Sequence, residues 1–222
     1  MSDQYVIITA GGSGTRMGTS IPKQFLEING LPVIMHCIQA FLNYSENINL
    51  ILVLPSKDTD YWKELCRRHQ FNINHKVCVG GETRFESVKN GLELVDGDGL
   101  VAVQDAVRPL ASQQLINRCF EIASLHGNAV PAIPLKDSFR EISGNESRPV
   151  DRSKFVLIQT PQVFDIVQIK TAYDQPYRTS FTDDATVAES AGVKINLVEG
   201  EPSNIKITTK EDLVLAEALL RF

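Results

Sequence analysis

The sequence predicts an α/β fold: a Rossmann-like, mainly parallel mixed sheet with helices on both faces and a projecting β-hairpin arm. Three observations predict it. Short apolar runs alternate with amphipathic stretches from end to end. Several runs are apolar without interruption, as in strands covered on both faces. One segment, Ser138–Arg152, is too polar for a core and is expected to project from the body onto another subunit. The 222 residues suit one domain, 1–222, with 136–153 as the projecting arm, and no repeat or linker divides them.

Taken in order, Tyr5–Thr9 is a β-branched run that ends in a glycine cluster, and Gly11 to Gln24 reads as loop. Pro32 fits the first turn of a helix over VIMHCIQAFLNY. Asn49–Leu54 reads as a second buried strand, with Ser56 as N-cap of a helix running to about His69. Val77–Val79 is a short strand, and Gly80-Gly81 leads into a helix through Leu94. Leu100–Val103 is another buried strand, stopping at Asp105. Ser112 caps QQLINRCFEIASLH and Gly127 stops it. Ala129–Pro134 resumes extended structure. Ser138–Ile142 and Arg148–Arg152 are the two polar strands of the arm, around a Ser-Gly-Asn-Glu-Ser turn. After Thr182 a short helix ends near Gly192. Lys194–Val198 and Ile205–Thr208 read as strands, and Thr209 caps a last helix, Lys210–Leu220, with Asp212 at its third position.

Composition narrows the function. Apolar residues make up 43% and charged residues 22%, ordinary for a globular chain with a sizeable core. Lys+Arg 22 against Asp+Glu 27 gives a net charge of −5, which argues against non-specific nucleic-acid or anionic-membrane binding. A local basic pocket for a small anion is still allowed. No apolar run approaches the roughly 18 residues of a membrane span; the longest clean one is Leu50–Leu54. The start, Met-Ser-Asp-Gln, lacks the features of a signal peptide, and a cytoplasmic location is expected. Cys37, Cys66, Cys78 and Cys119 read as reduced thiols, because none is spaced Cys-x-x-Cys. The four histidines show no metal-ligand spacing.

The first candidate site is the loop after the first strand, Ala10 to Gly18, followed by Pro22-Lys23-Gln24. Ligands of open α/β sheets bind beyond the carboxyl ends of strands. Glycines there let backbone N–H groups approach phosphate oxygens. The dinucleotide fingerprint fails because Met17 stands at the third glycine's place, and no Gly-Lys-Ser/Thr completes a Walker sequence. The nucleophile elbow fails at Thr15. Two cations, Arg16 and Lys23, suit a triphosphate better than a dinucleotide. The second candidate is Asp105, directly after a buried strand, where a carboxylate can hold a divalent ion on phosphate oxygens; the alternative is a turn aspartate. Arg108, three residues on, suits a second anion. A third set, Arg152, Thr160-Pro161-Gln162, Thr182-Asp183-Asp184 and Asn204-Ile205-Lys206, adds polar and cationic groups at the ends of elements.

The motifs then combine. A-G-G-x-G-T-R-M-G-x(4)-P-K-Q-F at Ala10–Phe25, G-G-x-x-R-x-x-S-V at Gly80–Val88, D-A-V-R-P at Asp105–Pro109 and T-P-Q at Thr160–Gln162 stand in order along the chain. With T-D-D-A at Thr182–Ala185 and N-I-K-I-T at Asn204–Thr208, the sequence resembles the pyrimidine nucleotidyltransferases. Within them it is most similar to the cytidylyltransferases of 2-C-methyl-D-erythritol 4-phosphate in the non-mevalonate isoprenoid pathway. The resemblance implies that Ala10, Gly11, Gly12, Gly14, Arg16 and Lys23 hold the CTP phosphates, and that Gly81, Glu82 and Ser87, with Ala10 and Gly11, surround the cytosine. It implies that Asp105 binds Mg2+ and the acceptor's alcohol. Arg108, Thr160, Thr182, Arg152 and Lys206 are then acceptor-binding residues. It implies a homodimer in which the arm lends Ser138 and Arg152 to the neighbour's site. Thr9, Gln104 and Ser138 depart from common family residues, which touches fine acceptor contacts and not the chemistry.

The implied reaction is attack of the acceptor's phosphate on the α-phosphorus of CTP, with pyrophosphate leaving. Arg16, Lys23, Arg152 and Lys206 are its expected catalytic cations, stabilising charge and holding the nucleophile in line. Two other readings remain at this point: a ribitol-5-phosphate cytidylyltransferase, which shares the loop and the CTP site, and an inactive nucleotide sensor. The sensor would be expected to have lost Arg16, Lys23, Asp105 or Lys206, and all four are present.

Overall fold

The computed structural model describes residues 3–11 and 21–221. Its elements, in chain order, begin with β1 (Asp3–Thr9), a small hairpin of β2 (Glu27–Ile28) and β3 (Leu31–Pro32), α1 (Val33–Tyr44), β4 (Asn49–Leu54) and α2 (Thr59–Arg68). Then follow β5 (Lys76–Val79), α3 (Arg84–Glu93), β6 (Gly99–Asp105), α4 (Gln113–His126) and β7 (Asn128–Pro134). The second half adds β8 (Arg140–Ser143), β9 (Glu146–Pro149), β10 (Val156–Ile158), β11 (Gln162–Asp165), α5 (Ile166–Tyr173), α6 (Asp184–Ser190), β12 (Leu197–Glu199) and α7 (Lys210–Leu219).

The main sheet runs β10-β7-β11-β6-β1-β4-β5, and β12 lies against β7. Its β6-β1-β4-β5 half is parallel, as is the β12–β7 pair. The expected α/β architecture is therefore present, and the antiparallel part is β11 between β6 and β7, with β10 continuing along β7. No helix among the described residues is long and apolar enough to cross a membrane.

Period-two alternation explains why helices cover both faces. From β1, β4 and β6, residues Val6, Ile8, Leu50, Leu52, Leu54, Leu100 and Ala102 point into one buried cluster with α1, α2 and α4. Their neighbours Tyr5, Ile7, Ile51, Val53, Val101 and Val103 point into the other, with α3, α5 and α6. A strand buried on both faces reads as a continuous apolar run, which is what these three strands show. A smaller third cluster seats α7, through Ala216, on Ile28, Val33, Val107 and Ile207.

The end signals mostly work as read. Ser112 Oγ accepts from Leu115 N, and Gly127, at φ 85°, follows α4. Thr209 and Asp212 form a reciprocal capping box at the start of α7. Ser56 does not cap: a 3-10 turn, Ser56–Asp58, intervenes, and α2 starts at Thr59. Ile205–Thr208 is not a strand. Its alternation is used to bury Ile207 in the third cluster, while the Ile207 N–H donates to Val107 O at 2.9 Å. Of Lys194–Val198 only the end is strand, within β12. The arm is as expected a projecting hairpin, β8 against β9, although the second strand stops at Pro149 and Arg152 opens a 3-10 turn. Residues 136–149 are all exposed.

Gly91 shows how tightly α3 sits on the sheet. A Cβ there would stand 2.7 Å from Ile7 Cγ2 and 3.1 Å from Val53 Cγ2. Alanine favours a helix over glycine by about 1 kcal/mol, but an extra methyl in a packed core typically costs about 1–3 kcal/mol. Gly91→Ala should therefore lower stability, read as a lower urea midpoint at unchanged slope. A raised midpoint would mean that α3 has room to move off β1.

Candidate active site

Because β1, β4 and β6 are parallel neighbours, Thr9, Val53 and Asp105 lie abreast near their carboxyl ends. A cavity of about 330 Å³ opens there. Its walls are Thr9, which ends β1, with Ala10 and Gly11 after it, Lys23 and Gln24, residues 81–84 with Ser87, Asp105 and Val107, and Lys206. Ala10, Gly11, Lys23, Gly81, Glu82, Ser87, Asp105 and Lys206, candidates from separate stretches of the sequence, are brought together around this one space. Gly12, Gly14 and Arg16 lie outside the described residues.

Asp105 forms the floor. Only 10% of its side chain is exposed, and three cations surround it: Lys206 Nζ 2.9 Å and Arg108 Nε 3.6 Å from Oδ2, and Arg84 Nε 3.7 Å from Oδ1. Burial by itself would raise its pKa, but Arg84, Lys206 and Arg108 overcome that and hold the carboxyl at about 2. The backbone fixes it as well, since Asp105 N–H donates to Thr160 Oγ1 at 3.1 Å and Ala106 N–H to Thr9 O at 3.0 Å.

The near wall depends on close backbone approach. At Gly81 a Cβ would fall 2.2 Å from Glu86 Cβ, so the turn before α3 tolerates no side chain there. Thr83 and Glu86 then cap α3 reciprocally, and Ser87 Oγ donates to Thr83 O at 2.9 Å. On the far side Lys23, nearly buried, lies on the 3-10 turn Lys23–Phe25 and donates from Nζ to Ile207 O at 3.0 Å. Gln24 Nε2 donates to Ala10 O at 2.9 Å, pinning the turn to the end of β1.

Other expected residues lie off the cavity wall. Arg108 is buried beside Asp105, with Nη1 donating to Asn204 O at 2.8 Å, and burial lowers its pKa. Thr160 is buried too, and its carbonyl accepts from Asn204 Nδ2 at 2.8 Å. Thr182 is exposed just ahead of α6. Ser138 and Arg152 are exposed with the arm, and an Arg152 guanidinium N–H donates to Lys136 O.

The structure also adds two residues. Arg84 lines the cavity, and both its Nη groups bond the carboxylate of Asp184, at 3.0 and 2.6 Å. Asp184 is completely buried and accepts as well from Tyr173 Oη at 2.7 Å. Both residues stand in motifs noted above, Gly80–Val88 and Thr182–Ala185, so the signal was present. Their pairing across 100 positions was not.

Chemically the cavity gathers three cations, Lys23, Arg84 and Lys206, and two carboxylates, Glu82 and Asp105, in its lining. No histidine or cysteine lines it among the described residues. Nor do the described residues contain a group of three or more His, Cys, Asp and Glu placed to cage a metal ion.

The sequence matches the profile of the 2-C-methyl-D-erythritol 4-phosphate cytidylyltransferases over residues 4–222. The chain belongs to that family. A 2-C-methyl-D-erythritol 4-phosphate cytidylyltransferase of Bacteroides thetaiotaomicron is 48% identical over 217 residues, which cover 98% of this chain and 99% of that one. Its counterpart in Bacteroides fragilis is 50% identical over 214 residues, covering 96% and 98%. The crystal structure of 4-diphosphocytidyl-2C-methyl-D-erythritol synthase from Anaerococcus prevotii superposes with a TM-score of 0.83 at 30% identity, covering 100% of this chain and 97% of that one. As a member of this cytidylyltransferase family the chain is a nucleotidyltransferase, and its cavity is where that chemistry is to be sought.

The floor carboxylate makes a pH prediction. Its folded pKa lies below the ordinary 3.8, so its contribution to stability is complete above about pH 4 and is lost as pH falls towards 2. The stability difference between the wild type and Asp105→Asn should be flat near pH 5 and shift by about 1 kcal/mol in the variant's favour at pH 3. A difference that stays constant over that range would show that the three cations do not hold the carboxyl down.

Proposed function

We propose that the cavity joins CTP to 2-C-methyl-D-erythritol 4-phosphate, giving 4-diphosphocytidyl-2-C-methyl-D-erythritol and pyrophosphate, by position and charge and without a covalent intermediate. The observation that carries this reading is the gathering of Lys23, Lys206 and an ionised Asp105 around one cavity at the strand ends. A phosphate monoester has its second pKa near about 6 and is largely dianionic at neutral pH, so the nucleophile needs no general base. The obstacle is bringing one anion up to another. Lys23 and Arg16 are the proposed ligands of the triphosphate, where fixed cations stabilise the charge that builds as pyrophosphate leaves. Ala10, Gly11, Gly12 and Gly14 supply backbone N–H groups, and Gly81, Glu82 and Ser87 the surroundings of the base. Lys206, with 44% of its side chain exposed, is the cation on the acceptor phosphate. Arg108 and Thr160 support the acceptor side from beneath, through Asp105, and Thr182 flanks it.

Magnesium is proposed as a companion of CTP. One or two protein carboxylates plus substrate phosphates is a usual magnesium set, and Asp105, a single ionised carboxylate, fits it. When bound, the ion draws charge from the phosphate oxygens. The cytoplasm, where CTP is drawn on, is the proposed compartment.

Pyrophosphate release should occur with CTP, Mg2+ and 2-C-methyl-D-erythritol 4-phosphate, stop on addition of EDTA and return with excess Mg2+. A parallel reaction with ribitol 5-phosphate should stay silent. Release with ribitol 5-phosphate alone would keep the CTP site and overturn the acceptor assignment.

We also propose that the arm makes a homodimer and carries Ser138 and Arg152 to the neighbour's cavity. Support comes from exposed apolar side chains on the arm, Phe139 and Ile142, the latter by 77%, and at its base, Phe155, Val156, Leu157 and Ile158. The Phe139 and Phe155 rings stand 5.3 Å apart and bridge the arm to its base. Exposed apolar side chains grouped in this way support an interface with a second copy of the chain. The wild type should sediment as a dimer at micromolar concentration, and Ile142→Lys with Leu157→Lys should give a folded monomer of low turnover. A fully active wild-type monomer would end the idea of shared sites.

A further inference from the structure

Arg84 is badly placed for a structural cation. It is the first residue of α3, where the helix dipole disfavours positive charge. Its partner, Asp184, is completely buried, and a buried ion pair is often no more stable than a neutral pair of the same volume. Neither helix propensity nor net stability explains the pair. Geometry does. The guanidinium is divided between two carboxylates, with both Nη groups on Asp184 and Nε 3.7 Å from Oδ1 of Asp105.

The division matters because the terminal torsion of an aspartate is soft and roughly two-fold. Among the described residues, the ion pairs to Oδ2 come from Lys206 and Arg108, and the ion pair to Oδ1 comes from Arg84. Arg108 and Lys206 alone would hold one oxygen and leave the carboxylate plane free to turn. Asp184, in turn, keeps Arg84 in place. Tyr173 Oη fixes Oδ1 of Asp184, and Gln162 fixes the start of α6 through Asp183 Oδ2 and the Ala185 N–H, each at 2.8 Å. The chain of contacts runs from β11 and α5 through α6 to α3 and ends on the floor of the cavity.

We propose that Arg84 is a positioning residue which, braced by Asp184, sets the carboxylate plane of Asp105 for nucleotidyl transfer and does not itself serve as a phosphate ligand. Both Nη groups are spent on a carboxylate that no substrate reaches, so Arg84 gives no fork to an incoming phosphate. The proposal rests on the cytidylyltransferase reading, and the experiment separates the two.

The test compares the wild type, the charge-neutral pair Arg84→Met with Asp184→Asn, and Arg84→Lys, with Arg84→Met alone as a reference for unfolding. Pyrophosphate release gives kcat and the KM for each substrate, and urea unfolding gives the midpoint. The neutral pair strands neither member of the Arg84–Asp184 pair and leaves Asp105 to Lys206 and Arg108, so its midpoint should fall below that of the wild type by less than that of Arg84→Met alone. Its kcat should fall on the order of 100-fold, the usual cost of a misplaced group, with the KM for CTP unchanged. Arg84→Lys keeps the charge but cannot reach both carboxylates as a fork, and should show an intermediate loss of kcat. Wild-type kcat in either folded variant would overturn the proposal. A raised KM for CTP at unaltered kcat would overturn it too, since that would make Arg84 a ligand. If the neutral pair does not fold, Arg84→Lys decides by the same criteria. Silence in the wild type would instead remove the reaction itself.

Discussion

A carboxylate taken out of water is costly to keep ionised, and Asp105 is kept ionised by cations drawn from separate parts of the chain. Arg84 comes from the start of α3, Arg108 from the turn after β6, and Lys206 from the irregular segment before α7. Each of these is fixed in its own right: Arg84 by Asp184, Arg108 by the Asn204 carbonyl, and the Lys206 segment by the Ile207 bond to Val107. One desolvated charge thus explains why three distant segments converge at the strand ends. The energetic constraint and the functional one coincide, because the charge that demands partners also lies on the floor of the cavity.

The sheet makes that convergence possible. Its parallel half brings three strand ends level, and its two-sided burial leaves only the edges and ends of the strands for polar work. Inserting β11 antiparallel between β6 and β7 brings Thr160 under Asp105 and Gln162 against the start of α6. A fully parallel sheet would need a crossover there and would carry those groups elsewhere.

Legibility followed periodicity. β1, β4 and β6 were plain in the sequence because strands covered on both faces carry an unbroken apolar run through their middle, here Tyr5–Ile8, Leu50–Leu54 and Leu100–Val103. α4 and α7 were plain because Ser112 and Thr209 carry cap chemistry that needs no tertiary partner. β10, β11 and α5 escaped notice because Gln159, Gln162 and Asp165 interrupt the apolar pattern, and the burial of Gln162 makes sense only once Asp183 and Ala185 face it. Ile205–Thr208 misled for the opposite reason, since its alternation serves a helix contact and not a ladder. In the site, the cavity-wall residues near glycines were readable. The burial of Arg108 and the brace on Arg84 were not, because charge pairing over long separations leaves no local mark. The apolar character of the arm was visible in Phe139 and Ile142 but lay hidden among charges.

The order of the chain has a bearing on its synthesis. Lys23 reaches forward to the carbonyl of Ile207, and Asp105 takes its closest cation from Lys206. The strands, by contrast, can begin to pair while the ribosome is still working, since β1, β4 and β6 all precede residue 106. A nascent chain therefore holds much of its hydrophobic framework before the lining of its cavity is complete. The cavity wall is complete only once the segment around Lys206 and Ile207 has been made and docks on Lys23 and Val107, so the floor is laid early and the lining late.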